Sequence, residues 1–215
     1  LAAIRIEQTD RGTLRMAASL DEFIRLPEGE KIPEKISELT GITDEMLEKQ
    51  GLDEDDVVCD FETLLDDTAG PVLLAAHNAQ FDLLFMQAMA DRYNRSCAEL
   101  LARADYLDTL TVYKDRRAYP HKLANAIAAY KLEDKVQNSH RALDDVAALF
   151  EVCKAMDDER ADLLEYVNIF GYNPKYGVGG PRIDGVTYWP QRFNKFMQSP
   201  SYTLPALAKG GRDHG

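Results

Sequence analysis

The stretch PVLLAAHNAQFD, residues 71–82, decides how this chain is read. Its first part has almost no polar group, as expected of a strand in a sheet covered on both faces. Directly after it come His77, Asn78 and Asp82, which a core does not need. One reading is local: Asn78 caps a helix, and Asp82 sits in the first turns, where negative charge is stabilised by roughly 0.3–1 kcal/mol. The other is chemical. Asp82 lies just past the carboxyl end of a buried strand, where α/β sheets place their ligands. It also lies off the apolar stripe Phe81, Leu84, Phe85, Ala88 and Met89, so nothing requires it to be buried.

The surroundings bound both readings. The 215 residues suit one α/β domain with an appendage, or two small domains, and a 45% hydrophobic content supports a sizeable core. A net charge of −12 argues against broad electrostatic binding of nucleic acid. It leaves room for an enzyme that grips phosphates through metal ions, where carboxylates are ligands and the cation supplies the attraction. Cys59, Cys97 and Cys153 are scattered, with no metal-binding spacing, and read as reduced thiols of a cytosolic protein. No run is long enough for a membrane span, and no signal peptide is visible.

The pattern along the chain is a β-meander followed by alternating helices and strands. LAAIRIEQTDRGTLRMAASLDEFIRL predicts two strands joined at Asp10–Gly12 and a third ending near Leu26. IPEKISELTG predicts a short helix stopped by Gly41, and Thr43 caps the next. VVCDFETLLDD is amphipathic. ADYLDTL is a short strand entering a helix at Asp108, which reads as a cap. HKLANAIAAYKL and SHRALDDVAALFEVCKAM are helices. The expectation is α/β: a five-stranded mixed sheet flanked by helices, with a C-terminal extension rich in Gly, Pro and aromatics.

From residue 170 onward there are six Lys or Arg against two Asp. An extended tail with a hairpin around Asp184–Gly185 is the plain reading. A nucleic-acid contact surface is the sharper one, because the basic residues interleave with Tyr172, Tyr176, Tyr188, Trp189 and Phe193. The remaining histidines, His121 and His214, read as surface residues.

A second stretch, HRALDDV at 140–146, carries His140, Asp144 and Asp145. The local reading is a helix start capped by Asn138 or Ser139, with solvated acids. Its apolar stripe is Leu143, Val146, Ala147, Phe150 and Cys153, with Asp145 roughly opposite. His140 and Asp145 are about 140° apart on an ideal helix, so spacing alone does not bring them together.

Taken jointly, AHNAQFD, LDTL and HRALDDV resemble the DEDDh family of 3′–5′ exonucleases, which includes the proofreading (epsilon) subunit of bacterial DNA polymerase III and the exonuclease domain of the Gram-positive replicative polymerase. IPEKISELTGITDEML resembles the family segment ahead of the second motif. The resemblance covers residues 1 to about 156 and implies a ribonuclease-H-like fold, with residues 157–215 as a C-terminal helix and extension. Asp82 and Asp145 resemble metal ligands and His140 the general base, with Asp144 only a neighbour. Leu39, Thr40, His77, Asn78 and Phe81 resemble residues around the terminal nucleotide. The cofactors implied are two divalent cations, Mg²⁺ or Mn²⁺, which hard oxygen ligands select. Such a pair, about 3.5–4 Å apart, can activate water and steady the leaving oxygen. A histidine with a pKa near 6.5 can take the water's proton. The substrate implied is a single-stranded 3′ end, DNA before RNA. A DNA polymerase or another replication or repair protein is the implied partner, in a bacterial cytoplasmic setting with no membrane.

The chain departs from the family at its start. The first motif, an Asp-x-Glu, belongs on a strand ahead of Leu1. Asp21 and Glu22 are adjacent and sit in what aligns as the third strand, so they do not replace it. Because Leu1 already reads as mid-strand, upstream sequence is expected in the natural protein. The alternatives are a deliberate truncation, or a degenerate relative that binds nucleic acid or a partner without cutting.

Overall fold

A computed structural model of the chain describes residues 1–66, 71–136 and 142–191. Strand β1, Ala2–Gln8, pairs antiparallel with β2, Leu14–Asp21, through a register slip between Arg5 and Ile6. The turn falls where the Asp-Arg-Gly signal put it. Gly12 adopts a left-handed φ of 77° and donates its N–H to Thr9 O at 2.8 Å. The expected third strand near Leu26 is reduced to a single bridge between Ile24 and Leu52.

Three helices follow. Helix α1, Glu34–Thr40, ends on Gly41 at a φ of 72° and buries none of its residues. Helix α2, Asp44–Gln50, is capped by the Thr43 hydroxyl, which accepts the Met46 N–H at 3.3 Å. Helix α3, Glu54–Asp66, buries Val57, Val58, Phe61 and Leu65. This one-sided row packs with Leu20, Met86, Met89, Ala90, Cys97 and Leu101.

The second half alternates as predicted. Strand β3, Leu73–Ala76, leads into α4, Ala79–Tyr93, and then α5, Arg95–Arg103. Strand β4, Asp105–Asp108, leads into α6, Thr109–Arg116. Helices α7, Leu123–Ala129, and α8, Ala142–Arg160, come next. A 3₁₀ turn at Leu163–Tyr166 precedes β5, Ile169–Tyr172, and β6, Thr187–Pro190.

The strands form three two-stranded sheets among the described residues, β1–β2, β3–β4 and β5–β6, rather than one of five strands. Beyond strand pairing, β4 and β5 are linked through Asn168, which donates its N–H to Tyr106 O at 2.7 Å and accepts the Tyr106 N–H on its side chain at 2.9 Å. The outer edges of β1 and β3 carry no strand among the described residues. This also corrects the reading of β3 as buried on both faces: Leu73 is 40% exposed and Ala75 is exposed. The expected hairpin at Asp184–Gly185 is likewise not one. β5 and β6 run parallel, Ile169 opposite Thr187, so residues 173–186 are a crossover connection.

Two helix faces differ from the periodicity reading. In α4 the buried residues are Ala79, Leu83, Met86, Met89 and Ala90, while Phe81 and Phe85 are exposed. In α8 the buried row is Ala148, Leu149, Val152 and Met156. Of the expected stripe, Ala147 and Phe150 turn to the hairpin, lining a groove of about 360 Å³ with Ile4, Ile6 and Met16, while Cys153 packs against the core. The helix has two partners, so it has two apolar faces.

Behind α8 the chain is locked by Arg116, whose side chain is 0% exposed. It donates to Met156 O at 2.6 Å, to Glu159 at 3.3 Å and to Asp162. No helix among the described residues is long and apolar enough to cross a membrane.

Candidate active site

The carboxyl ends of β3 and β4 stand side by side, with Ala76 opposite Asp108. Two helices begin there, and one carboxylate serves both. Asp108, 5% exposed, accepts the N–H of Asn78 at 2.9 Å and of Ala79 at 3.2 Å at the start of α4. It also accepts the N–H of Leu110 at 3.1 Å, and the N–H and hydroxyl of Thr111 at 3.2 and 2.7 Å, at the start of α6. Asp108 is thus the cap that the sequence suggested, but for two helices. Asn78 is not a side-chain cap. It contributes a left-handed φ of 77° and makes no capping bond with its side chain. Asn tolerates that conformation better than most residues.

Asp82 is one turn further along α4. The residue as a whole is exposed, yet crowding around its carboxyl raises the pKa, first by desolvation and then by the negative charge of Asp108. Its own backbone N–H pulls the other way without winning. A carboxylate held in a surplus of negative charge at the mouth of a parallel strand pair is suited to a cation. Phe81 and Phe85, 59% and 60% exposed, pair beside it on the same helix with ring centroids 5.0 Å apart.

His77 faces inward. Its Nε2 lies 2.8 Å from His121 O and its Nδ1 3.0 Å from Thr109 Oγ1. A carbonyl only accepts, so Nε2 donates to His121 O, while Nδ1 meets the Thr109 hydroxyl, which also lies 3.2 Å from Ala76 O. Burial lowers the ring's pKa despite the bond to the carbonyl. Both nitrogens are therefore engaged within the protein, and His77 supports the site from behind.

His121, read as a surface residue, is half-buried. It stacks edge-on to Tyr113 and Tyr119 at 5.7 and 5.8 Å. Sequence carries no signal for it.

On α8, Asp145 precedes Ala148, Val152 and Met156 by three, seven and eleven residues, so it lies on the core-facing row and not opposite the packed face. Asp144 turns instead to the groove beside the hairpin. The two adjacent acids therefore sit in different environments. His140 lies outside the described residues.

Leu39 is 58% exposed on α1. The Thr40 hydroxyl stays within its own turn, donating to Ile36 O at 2.8 Å and accepting the Ile42 N–H at 3.2 Å. Neither side chain is joined to Asp82 by a described contact.

Sequence reasoning missed Gln80. Its amide donates to Gly179 O and, at 2.9 Å, to Pro181 O, tying the first turn of α4 to the connection before β6. A second acidic group, Asp53, Asp55 and Asp56, is exposed at the start of α3. Asp53 there pairs with Arg25, and acids in a first turn are explained by the helix dipole. Glu22 pairs with Asp60, so its carboxyl is committed elsewhere.

Comparison with known proteins places the sequence among similar chains. The chain is 30% identical over 183 residues to "DNA polymerase III PolC-type" of Latilactobacillus sakei, covering 83% of this chain and 11% of that protein. It is 35% identical over 124 residues to the protein of the same description from Mycoplasma genitalium, covering 56% and 8%. The Clostridium perfringens protein so described matches at 30% over 149 residues, covering 67% and 9%. The chain spans about a tenth of the length of these relatives. The Exonuclease (RNase_T) family model matches residues 1–153, and the chain belongs to that family, resembling the exonuclease domain of the polymerase III type.

Proposed function

We propose that this chain is a 3′–5′ exonuclease unit that removes nucleotides from single-stranded 3′ ends, with DNA as its substrate in a proofreading or repair setting. Carrying the reading is Asp82, an accessible carboxylate with a raised pKa at the carboxyl edge of the β3–β4 pair, within a chain of the exonuclease family. Asp82 and Asp145 would hold two divalent cations, Mg²⁺ or Mn²⁺, completed by an Asp-x-Glu on a strand that pairs into the open edges of β1 and β3 to join the sheet. Bound cations supply positive charge against the phosphate and make the attacking water easier to ionise.

The chain's own groups do the rest. His140 takes the proton from the attacking water. Phe81 offers its exposed ring to a terminal base, and Leu39 and Thr40 on α1 border that nucleotide. His77 and Asn78 hold the start of α4 in place. Residues 1–156 form the exonuclease part and 157–215 the extension. The description of the relatives as "DNA polymerase III PolC-type" supports work beside a DNA polymerase.

The test is digestion of a 5′-labelled single strand with Mg²⁺ or Mn²⁺ by a chain carrying an Asp-x-Glu strand ahead of Leu1. A ladder shortening from the 3′ end, absent in Asp82→Ala and His140→Ala, is expected. A faster ladder on RNA than on DNA would move the substrate to RNA trimming. No cleavage of either would favour a binding module with this fold.

A further inference from the structure

Residues 173–186, the crossover between β5 and β6, lie on the first turns of α4. Ile183, 2% exposed, packs with Ala79 and Leu83, and its N–H donates to the Tyr188 hydroxyl at 2.9 Å. Gln80 grips the carbonyls of Gly179 and Pro181. Gly180, at a φ of 74°, brings the loop against Leu84.

These contacts are enough to fasten the loop, and they leave an outer surface that packing does not use. Tyr176 is 74% exposed, with Lys175 Nζ 5.2 Å from its ring centroid. The Arg182 guanidinium lies 5.0 Å from the Tyr188 ring. Among the described residues neither cation has a carboxylate partner, in a chain whose net charge is −12.

Position ties this surface to the candidate site. Successive residues turn about 100° around a helix. Gln80 and Leu84 therefore face the loop, Phe81 and Phe85 come next around α4, and Asp82 follows. A path from the loop to Asp82 crosses exposed aromatic rings.

We propose that the 173–186 loop binds the single strand on the 5′ side of its terminal nucleotide, a contact that rests on the exonuclease reading above. Lys175 and Arg182 pair with phosphates, and Tyr176 offers a stacking face to a base. The loop thereby gives long strands an advantage over dinucleotides.

The experiment compares equilibrium binding of a phosphorothioate-linked single strand of about 20 nucleotides with that of a dinucleotide, using the full chain. In the triple variant Lys175→Ala, Tyr176→Ala, Arg182→Ala, affinity for the long strand is expected to fall tenfold or more. The slope of log affinity against log salt should become shallower by about 1.4, two lost phosphate contacts on single-stranded nucleic acid. The double variant Lys175→Gln, Arg182→Gln keeps the tyrosine and should show the same change in slope. The exchange Lys175→Arg, Arg182→Lys should restore it. A triple or double variant that keeps both the length advantage and the slope overturns the proposal, as does a wild-type chain with no length advantage. Failure of the exonuclease reading shows separately, as a chain carrying the Asp-x-Glu strand that leaves cleavable 3′ ends intact.

Discussion

The carboxylate of Asp108 accepts the backbone N–H of Asn78 at 2.9 Å, so the residue that ends β4 holds the turn that follows β3. With its other bonds it fixes the starting points of α4 and α6 together. Replacing it by Ala leaves several buried donors without acceptors. The expected loss is about 3 kcal/mol, or roughly 6–12 °C in Tm for a chain of this size. Asp108→Asn, which keeps one acceptor oxygen, should fall between. Thermal unfolding of the three proteins checks this order.

Gln191 lies over Gly171 so closely that an added Cβ would meet its side-chain oxygen at 1.8 Å. The same side chain donates to Thr111 O at 3.0 Å and to Asp115 at 2.7 Å. Gly171→Ala must displace it and strip a bond from a carboxyl that burial already pushes up. A loss of about 2 kcal/mol is expected, read by urea denaturation.

Arg116 makes a chain ending near Ala155 a poor candidate for a folded fragment. Such a chain lacks Met156 O, Glu159 and Asp162, the acceptors of the Arg116 guanidinium, and the Tyr166 ring beside it. Removing one side of a buried pair costs about 3–5 kcal/mol. The fragment should be insoluble or lack a cooperative unfolding transition, whereas one ending at Gln191 should retain it. Calorimetry separates the two.

Glu22 supplies a pH dependence. Its carboxyl is raised first by burial, then by the charge and hydrogen bond of Asp60. The fold holds this proton more tightly than the unfolded chain does. The contribution is fully present below the unfolded pKa and is lost as pH rises through the raised folded value. Glu22→Gln should therefore raise Tm at pH 7, on the order of 2 °C, and the gain should vanish near pH 4. Melting curves at both pH values decide it.

In the proposed reaction, His140→Ala should lower kcat by about 10²–10⁴, the usual span for a lost general base. Asp82→Asn should weaken Mn²⁺ binding as well as turnover. Titration calorimetry with Mn²⁺ distinguishes the two variants, because His140 is assigned no metal.

Punctuation was legible in the sequence. Gly12, Gly41 and Thr43 act through their own backbone or the next turn, as does Asp108 in capping α6, so local chemistry decides them; the hold of Asp108 on Asn78 and Ala79 is long-range. The faces of α4 and α8 were less legible for a physical reason. AQFDLLFMQAMADRY carries apolar groups on most sides, and α8 packs against both a core and a hairpin. Periodicity then cannot tell which row is buried, and Asp145 was placed on the wrong side of its helix. His121 and Gln80 depend on partners 44 and about 100 residues away, beyond any spacing rule.

The edge of β3 that meets no strand among the described residues has one more consequence. Such an edge beside exposed Leu73 is a template for any extended peptide, including another copy of itself. The protein should self-associate with rising concentration, and a short complementary strand peptide added in excess should act as its solubiliser.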